Sequence, residues 1–368
     1  MMKSESEGVV DLLGIGCSED LPAFKQRDLA ALYADYLERA TSDKRLARRA
    51  SLLFARAGVD TRRLALAREG GSRVRELYEG GALPTTGQRM AMYRDVAPHL
   101  AVDAARQAIS NAGISPDEIG SVVLATCTGI GEPDFDVELA TRLGLRPDVE
   151  RSQLIWMSCS AAFPALRIAR RSALAQERPA LVVCVEVCSL HIRTDADPGS
   201  LLAHALFADG AAAMVVAPPS KRGALATFSP GQVQRLPHAR DALTWNFTDH
   251  GFRVHLAPLL SSHLARDSGS FVRELDPDWR DLAAWCVHPG GPAILSAVEG
   301  GLGLPPDALA TSRDVLRNYG NMSSPTILYV LKAHLANLSP GERGLMLGFG
   351  TGVTIEGVPF EKGARSLS

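Results

Sequence analysis

Residues 156–174 read WMSCSAAFPALRIARRSAL, and residues 319–335 read YGNMSSPTILYVLKAHL. Each stretch places one polar, potentially reactive residue at a turn, follows it with small residues and then opens a helix. A proline sits in the first turns of both helices, Pro164 and Pro325, where a missing N–H costs little. An apolar strand comes next in each case, PALVVCVEV at 179–187 and GLMLGFG at 344–350. Two strand–turn–helix–strand units with polar residues at matching turns predict a duplicated α/β fold whose halves face one site.

The rest of the chain continues this alternation. VVDLLGIGC (9–17), SVVLATC (121–127), LVVCVEVC (181–188) and AAAMVVAPP (211–219) have the apolar, β-branched character of buried strands. KQRDLAALYADYLERA reads as a helix, and residues 89–112 as a long helix closed by Asn111 and Gly113. Two halves are expected, 1–218 carrying a nucleophile and 219–368 carrying its partners.

Composition removes several other classes. The chain has 368 residues, 46% hydrophobic and 22% charged, with a net charge of −2. That is a soluble globular composition with no global basic field for nucleic acid or an anionic surface. No run approaches the roughly 20 apolar residues of a membrane span, and MMKSESEG lacks a signal-peptide pattern. The six cysteines form no CxxC or Cys/His ligand cluster, so no metal is expected, and reduced thiols in the cytoplasm are.

Three residues stand out chemically. Cys159 lies where a helix begins, and free N–H groups at a helix N-terminus stabilise a thiolate. The usual fate of a free cysteine, a small buried hydrophobe, suits Cys17, Cys184 and Cys286 better. His288, in WCVHPGGPAIL, is delivered by a strand into a rigid Gly/Pro turn, whereas His255 and His263 read as ordinary solvent-side or helix residues. Asn321 can donate its amide N–H to a developing oxyanion or cap the following helix; the two readings are compatible.

WMSCSAAFPALRIAR, ALFADGAAAMVV, VHPGGPAIL, NYGNMSSPTILYVL and GFGTGVTIE, in that order, resemble the chalcone synthase superfamily, the type III polyketide synthases. The resemblance runs from about residue 89 to 358. It implies a thiolase-like duplicated α/β fold with αβαβα layers, a homodimer, and a triad at Cys159, His288 and Asn321. It also implies a thioester on Cys159 and decarboxylation of malonyl-CoA beside His288 and Asn321. The CoA thioesters are substrates, and no cofactor, metal or nucleic acid is needed. Phe207 matches the family's gatekeeping aromatic, with core packing as the plainer reading, and Gly291 and Ala293 fall on the substrate side of the His288 turn.

Departures from the plant pattern bear on the substrate. Cys127, Thr128 and Cys188 stand along the expected cavity, and Val254 stands where chalcone synthases have Phe, leaving room for a long acyl starter. On the alternative, Trp156, His191 or Arg253 fill that room or make it polar, and malonyl-CoA alone serves as starter. Glu132 aligns with the residue that reaches into the partner subunit, or is a solvated dimer-edge carboxylate, and Thr351 replaces a loop proline. Arg49 and Arg56, in RLARRASLLFARAGVDTRR, are the expected CoA phosphate contacts, against the alternative of a solvated helix face. The expected activity is iterative condensation of malonyl-CoA onto an acyl-CoA starter, giving an alkylpyrone, an alkylresorcinol or a related small aromatic. The alternatives are a malonyl-primed synthase with a tetrahydroxynaphthalene-like product, a ketoacyl synthase of fatty-acid initiation, and a non-catalytic acyl-CoA-binding protein.

Overall fold

A computed structural model of the chain describes residues 8–18, 21–67, 83–131, 135–193, 197–220 and 222–367. Its strands are β1 Val10–Cys17, β2 Ala23–Lys25, β3 Thr61–Arg63, β4 Ser121–Thr126, β5 Glu150–Ile155, β6 Ala180–Val187 and β7 Asp209–Ala217. They continue with β8 Ala226–Phe228, β9 Gln232–Arg235, β10 Leu243–Thr248, β11 Gly251–Leu256, β12 Ala284–Val287, β13 Arg343–Gly350 and β14 Thr354–Lys362. The helices are α1 Gln26–Thr41, α2 Lys44–Arg56, α3 Thr86–Ala112, α4 Phe135–Leu143 and α5 Ala162–Gln176. After them come α6 Pro198–Leu206, α7 Leu260–Leu275, α8 Pro292–Leu302, α9 Ala310–Tyr319 and α10 Thr326–Leu335.

The strand order exposes the duplication. The main sheet runs β12-β13-β14-β8-β1-β7-β6-β4-β5, with β9 on β14. Reading inward from one side, β4 is parallel to β6, β6 antiparallel to β7, and β7 antiparallel to β1. From the other side, β12 is parallel to β13, β13 antiparallel to β14, and β14 antiparallel to β8. The two quartets meet where β1 pairs with β8, so the sheet runs unbroken past residue 218. β5 is an additional edge strand beside β4.

Side-chain alternation sorts the core into three slabs, as period-2 strands covered on both faces require. From β1, Leu13 joins an outer cluster with Tyr33, Phe54, Leu100 and Ala108, while Leu12 and Ile15 join a central one. From β13, Leu345 and Leu347 pack outward with Leu264, Val272 and Leu295, while Met346 packs inward. The central slab holds α5 (Phe163, Leu166) and α10 (Ile327, Leu328, Leu331) between the two quartets. This is the αβαβα layering of the thiolase-like duplicated fold. Because both central helices start on the same side of their strands, their opening turns converge.

Candidate active site

The turn that carries Cys159 begins where β5 ends. Trp156 and Ser158 take positive φ values of 65° and 59°, a conformation that costs a non-glycine residue about 1–2 kcal/mol. That reversal feeds the short turn Ser158–Ser160 and then α5. It leaves Cys159, 9% exposed, at the positive end of the helix. The GFG run at 348–350 lets β13 pass close by. A Cβ on Gly348 would lie 2.3 Å from the Phe163 ring, and one on Gly350 2.2 Å from Ser160 Oγ.

His288 continues β12: its backbone N–H donates to the Leu347 carbonyl at 2.8 Å. The ring is 1% exposed, and neither nitrogen has a hydrogen-bond partner. Asn321 is fixed from the opposite half. Its N–H donates to the Leu206 carbonyl and its carbonyl accepts from the Ala208 N–H, both at 2.8 Å, clamping it beside Phe207. Its side-chain oxygen accepts from the Ser323 N–H at 2.8 Å, and its NH₂ donates to the Gly290 carbonyl at 3.4 Å. Asn321 is therefore no helix cap, since α10 is capped at Pro325. Burial pushes the Cys159 thiol up to about 11, with the Ser323 side chain pulling it down. Burial also pushes the His288 imidazole down to about 3. The resting pair is neutral, a thiol and a free-base imidazole.

Cys159, His288 and Asn321 line one cavity of about 490 Å³. Apolar residues form most of its wall, Leu53, Leu202, Leu206, Leu243, Leu256 and Leu264 among them. Phe207, Val254, Gly291, Ala293 and Arg56 also line it. A second pocket of about 30 Å³ contains Cys188, Ser189 and His191, and shares Phe207, Trp245 and Val254 with the large one. Those three side chains form a partition.

Cys127 and Thr128 are absent from both walls and sit deeper, around Glu186. This fully buried carboxylate accepts from the Cys127 N–H at 2.9 Å, Thr128 Oγ1 at 2.7 Å and Ser324 Oγ at 2.7 Å. Cys127 Sγ lies 3.2 Å from Glu186 Oε1 and 3.4 Å from Ser323 Oγ. Arg49 is exposed on α2 and lies off the cavity. Glu132 lies outside the described residues.

The three side chains that would fill the space on the alternative reading are absent from the wall of the large cavity. Trp156 packs edge-on against Phe247 and Phe252. His191 is held between the Thr128 carbonyl and the Phe252 N–H, and lines only the small pocket. Arg253 pairs with Asp197 at 3.5 Å. Thr351 stands half-buried in the β13–β14 turn, beside Gly352, whose N–H donates to the Leu243 carbonyl. Outside the cavity, His238, His263 and Asp267 come close enough to hold an ion, but the Arg266 guanidinium already bonds both Asp267 and His238.

Two residues escaped the sequence reading. Glu186 announced itself as the one charge inside the apolar run LVVCVEVC. Trp245 had no such signal, because it is one aromatic among several in a strand whose register with Val254 only the structure supplies.

Comparisons with known proteins bear on this geometry. The family model for the N-terminal domain of chalcone and stilbene synthases matches residues 1–219, and that for the C-terminal domain matches residues 229–362. A 1,3,6,8-tetrahydroxynaphthalene synthase of Streptomyces peucetius is 34% identical over 347 residues, covering 90% of this chain and 88% of that one. The α-pyrone synthesis polyketide synthase-like Pks18 of Mycobacterium tuberculosis is 32% identical, covering 75% and 74%. Among solved structures, the type III polyketide synthase domain of Steely1 from Dictyostelium superposes with a TM-score of 0.87 at 27% identity, covering 96% and 99%. PKS-I of the brown alga Ectocarpus siliculosus gives 0.84 at 26%, covering 96% and 98%.

Proposed function

The chain belongs to the chalcone and stilbene synthase family as a type III polyketide synthase, and on that premise we propose that it extends an apolar acyl-CoA starter with malonyl units. Cys159 Sγ attacks the starter thioester, its proton passes to His288, and the acyl–CoA bond breaks. Malonyl-CoA then loses CO₂, and the electron pair left behind forms an enolate whose oxygen takes hydrogen bonds from the Asn321 amide and His288. The enolate carbon attacks the acyl carbonyl, and the bond to Cys159 breaks, returning the thiolate. Cyclisation of the extended chain gives an alkylpyrone or alkylresorcinol. Arg56, at the cavity, and Arg49, two turns earlier on the same face of α2, are the proposed CoA phosphate contacts.

The observation that supports this reading best is the chemistry of the large cavity. Its wall is leucine-rich, and each buried CH₂ contributes about 0.8 kcal/mol, roughly fourfold in binding. The experiment is a starter series with malonyl-CoA, read by mass spectrometry. kcat/KM should climb from acetyl- to octanoyl- to dodecanoyl-CoA. A flat series supports the second reading, malonyl-CoA as its own starter, which the resemblance to a tetrahydroxynaphthalene synthase favours.

The same reading includes the two halves at 218/219, a cytoplasmic location and a homodimer. β7 ends at Ala217, all six cysteines are free, and no helix among the described residues is long and apolar enough to cross a membrane. For the dimer, Met157 and Phe247 expose large apolar side chains beside the nucleophile turn. Light scattering should give twice the chain mass at micromolar concentration, and a monomer there would remove that part.

A further inference from the structure

α2 carries more positive charge than a CoA at the cavity needs. At 3.6 residues per turn, Arg45, Arg49, Leu52 and Arg56 fall within about 60° of one another, with Arg48 at their edge. All five are exposed, and among the described residues none of the four guanidiniums has a hydrogen-bond or ion-pair partner. Residues 44–59 contain no Asp or Glu. Arg56 lines the cavity, but Arg45 stands eleven residues from it, about 16 Å along the helix axis, and Arg48 about 12 Å. Those two lie outside the reach of a diphosphate seated at Arg56.

Apolar side chains flank the same opening. Leu52 is 58% exposed within the arginine stripe, and Leu259 is 63% exposed between the lining residues Pro258 and Leu260. Arg56, Pro258 and Ala293 are lining residues that are also exposed, and they mark the cavity's mouth. Cations in a row, leucines among them and an apolar cavity behind are the features of a surface that settles on anionic lipid.

We propose that the exposed face of α2, with Leu52 and Leu259, docks the mouth of the cavity onto an anionic lipid surface. This rests on the apolar-starter reading for its purpose: long acyl thioesters and alkyl-chain products partition into lipid, and a docked mouth shortens their path. Arg45 and Arg48 supply charge attraction, and the two leucines enter the headgroup boundary.

The test is co-sedimentation of the full chain with phosphatidylcholine vesicles, with and without phosphatidylglycerol, in the absence of substrate. Binding should require phosphatidylglycerol and weaken as salt rises. Arg45→Glu with Arg48→Glu should cut it about tenfold or more, and Leu52→Ser with Leu259→Ser should also lower it. Both double variants should keep wild-type kcat/KM on an acyl-CoA starter in free solution. Binding that ignores phosphatidylglycerol or survives the charge reversal overturns the proposal. So does binding of a purified acidic acyl carrier protein in place of vesicles. Because this assay contains no starter, its outcome is separate from that of the starter series: lipid docking with a flat series would remove the purpose and keep the surface.

Discussion

The turn at 156–161 and the turn at 320–325 use the same backbone device for different chemistry. Each contains a serine with a positive φ, Ser158 at 59° and Ser323 at 61°, a few residues before a central helix. The first turn presents a thiol at the start of α5. The second presents an amide, pinned by Ser323 and Gly290 and clamped to the strand entry beside Phe207. The fold duplicated a way of aiming a side chain into the space between the halves. What each copy aims is set by one residue. The difference teaches that the scaffold fixes position, whereas the identity at position 159 or 321 sets the proposed role, covalent attack in one turn and charge stabilisation in the other.

Substitutions at the two turns should therefore fail in different ways. Cys159→Ala removes the group that carries the chain, and condensation should vanish while slow malonyl-CoA decarboxylation persists through His288 and Asn321; product and CO₂ release are measured in parallel. Asn321→Ala leaves the thiol able to take an acyl group but removes an enolate donor, and kcat should fall by about 10²–10³. Starter acylation of Cys159 in that variant, followed by intact mass, should remain. Loss of both activities in both variants would erase the distinction between the turns.

Acid titration sharpens it next. His288 and His191 are each held neutral by burial, at about 3, whereas in the unfolded chain they titrate near the ordinary value of 6.5. Below pH 6.5 the unfolded chain binds protons that the native one refuses, so their contribution to stability is present above 6.5 and falls with pH. Between pH 6.5 and 5 the loss should approach about 2 kcal/mol for each ring. Asp209, raised by burial to about 6, takes up its proton first in the native state and returns part of that loss. Denaturant melts of the wild type and His288→Gln across this range should show a shallower slope in the variant.

The smallest effect separates the two serines themselves. Ser158→Gly relieves the left-handed strain and removes a hydroxyl that pulls the Cys159 thiol down. It should stabilise the fold by up to about 1 kcal/mol after the added chain entropy. Ser323→Gly gives up the contact of Oγ with Cys127 Sγ and should gain less. Equal gains, measured as denaturation midpoints, would mean that the Ser323 hydroxyl adds nothing to its turn.

The sequence disclosed the turns more fully than the walls. Strand and helix limits lay close to the expected ones, the long helix starting at Thr86 rather than 89 because Thr85 and Gln88 form a capping box. That Cys159, His288 and Asn321 face one cavity was legible because their turns are local in sequence. Depth was not legible. Cys127 and Thr128 were placed by chain position along a cavity, but the Glu186 carboxylate draws them behind it. Arg49 and Arg56 share a helix face, yet only the second reaches the opening. Trp245, part of the partition between the two pockets, depends on the β10–β11 register, which pairs it with Val254. Such placements come from long-range packing, which a local pattern does not carry.

The most direct test of the account is where the acyl group goes. The protein is incubated with dodecanoyl-CoA alone, quenched in acid, digested and read by peptide mass spectrometry. The account predicts one dodecanoyl thioester, on the peptide containing Cys159, and its absence in Cys159→Ala. A stable acyl group on Cys127 or Cys188, or no acyl-enzyme with any CoA thioester, would contradict it.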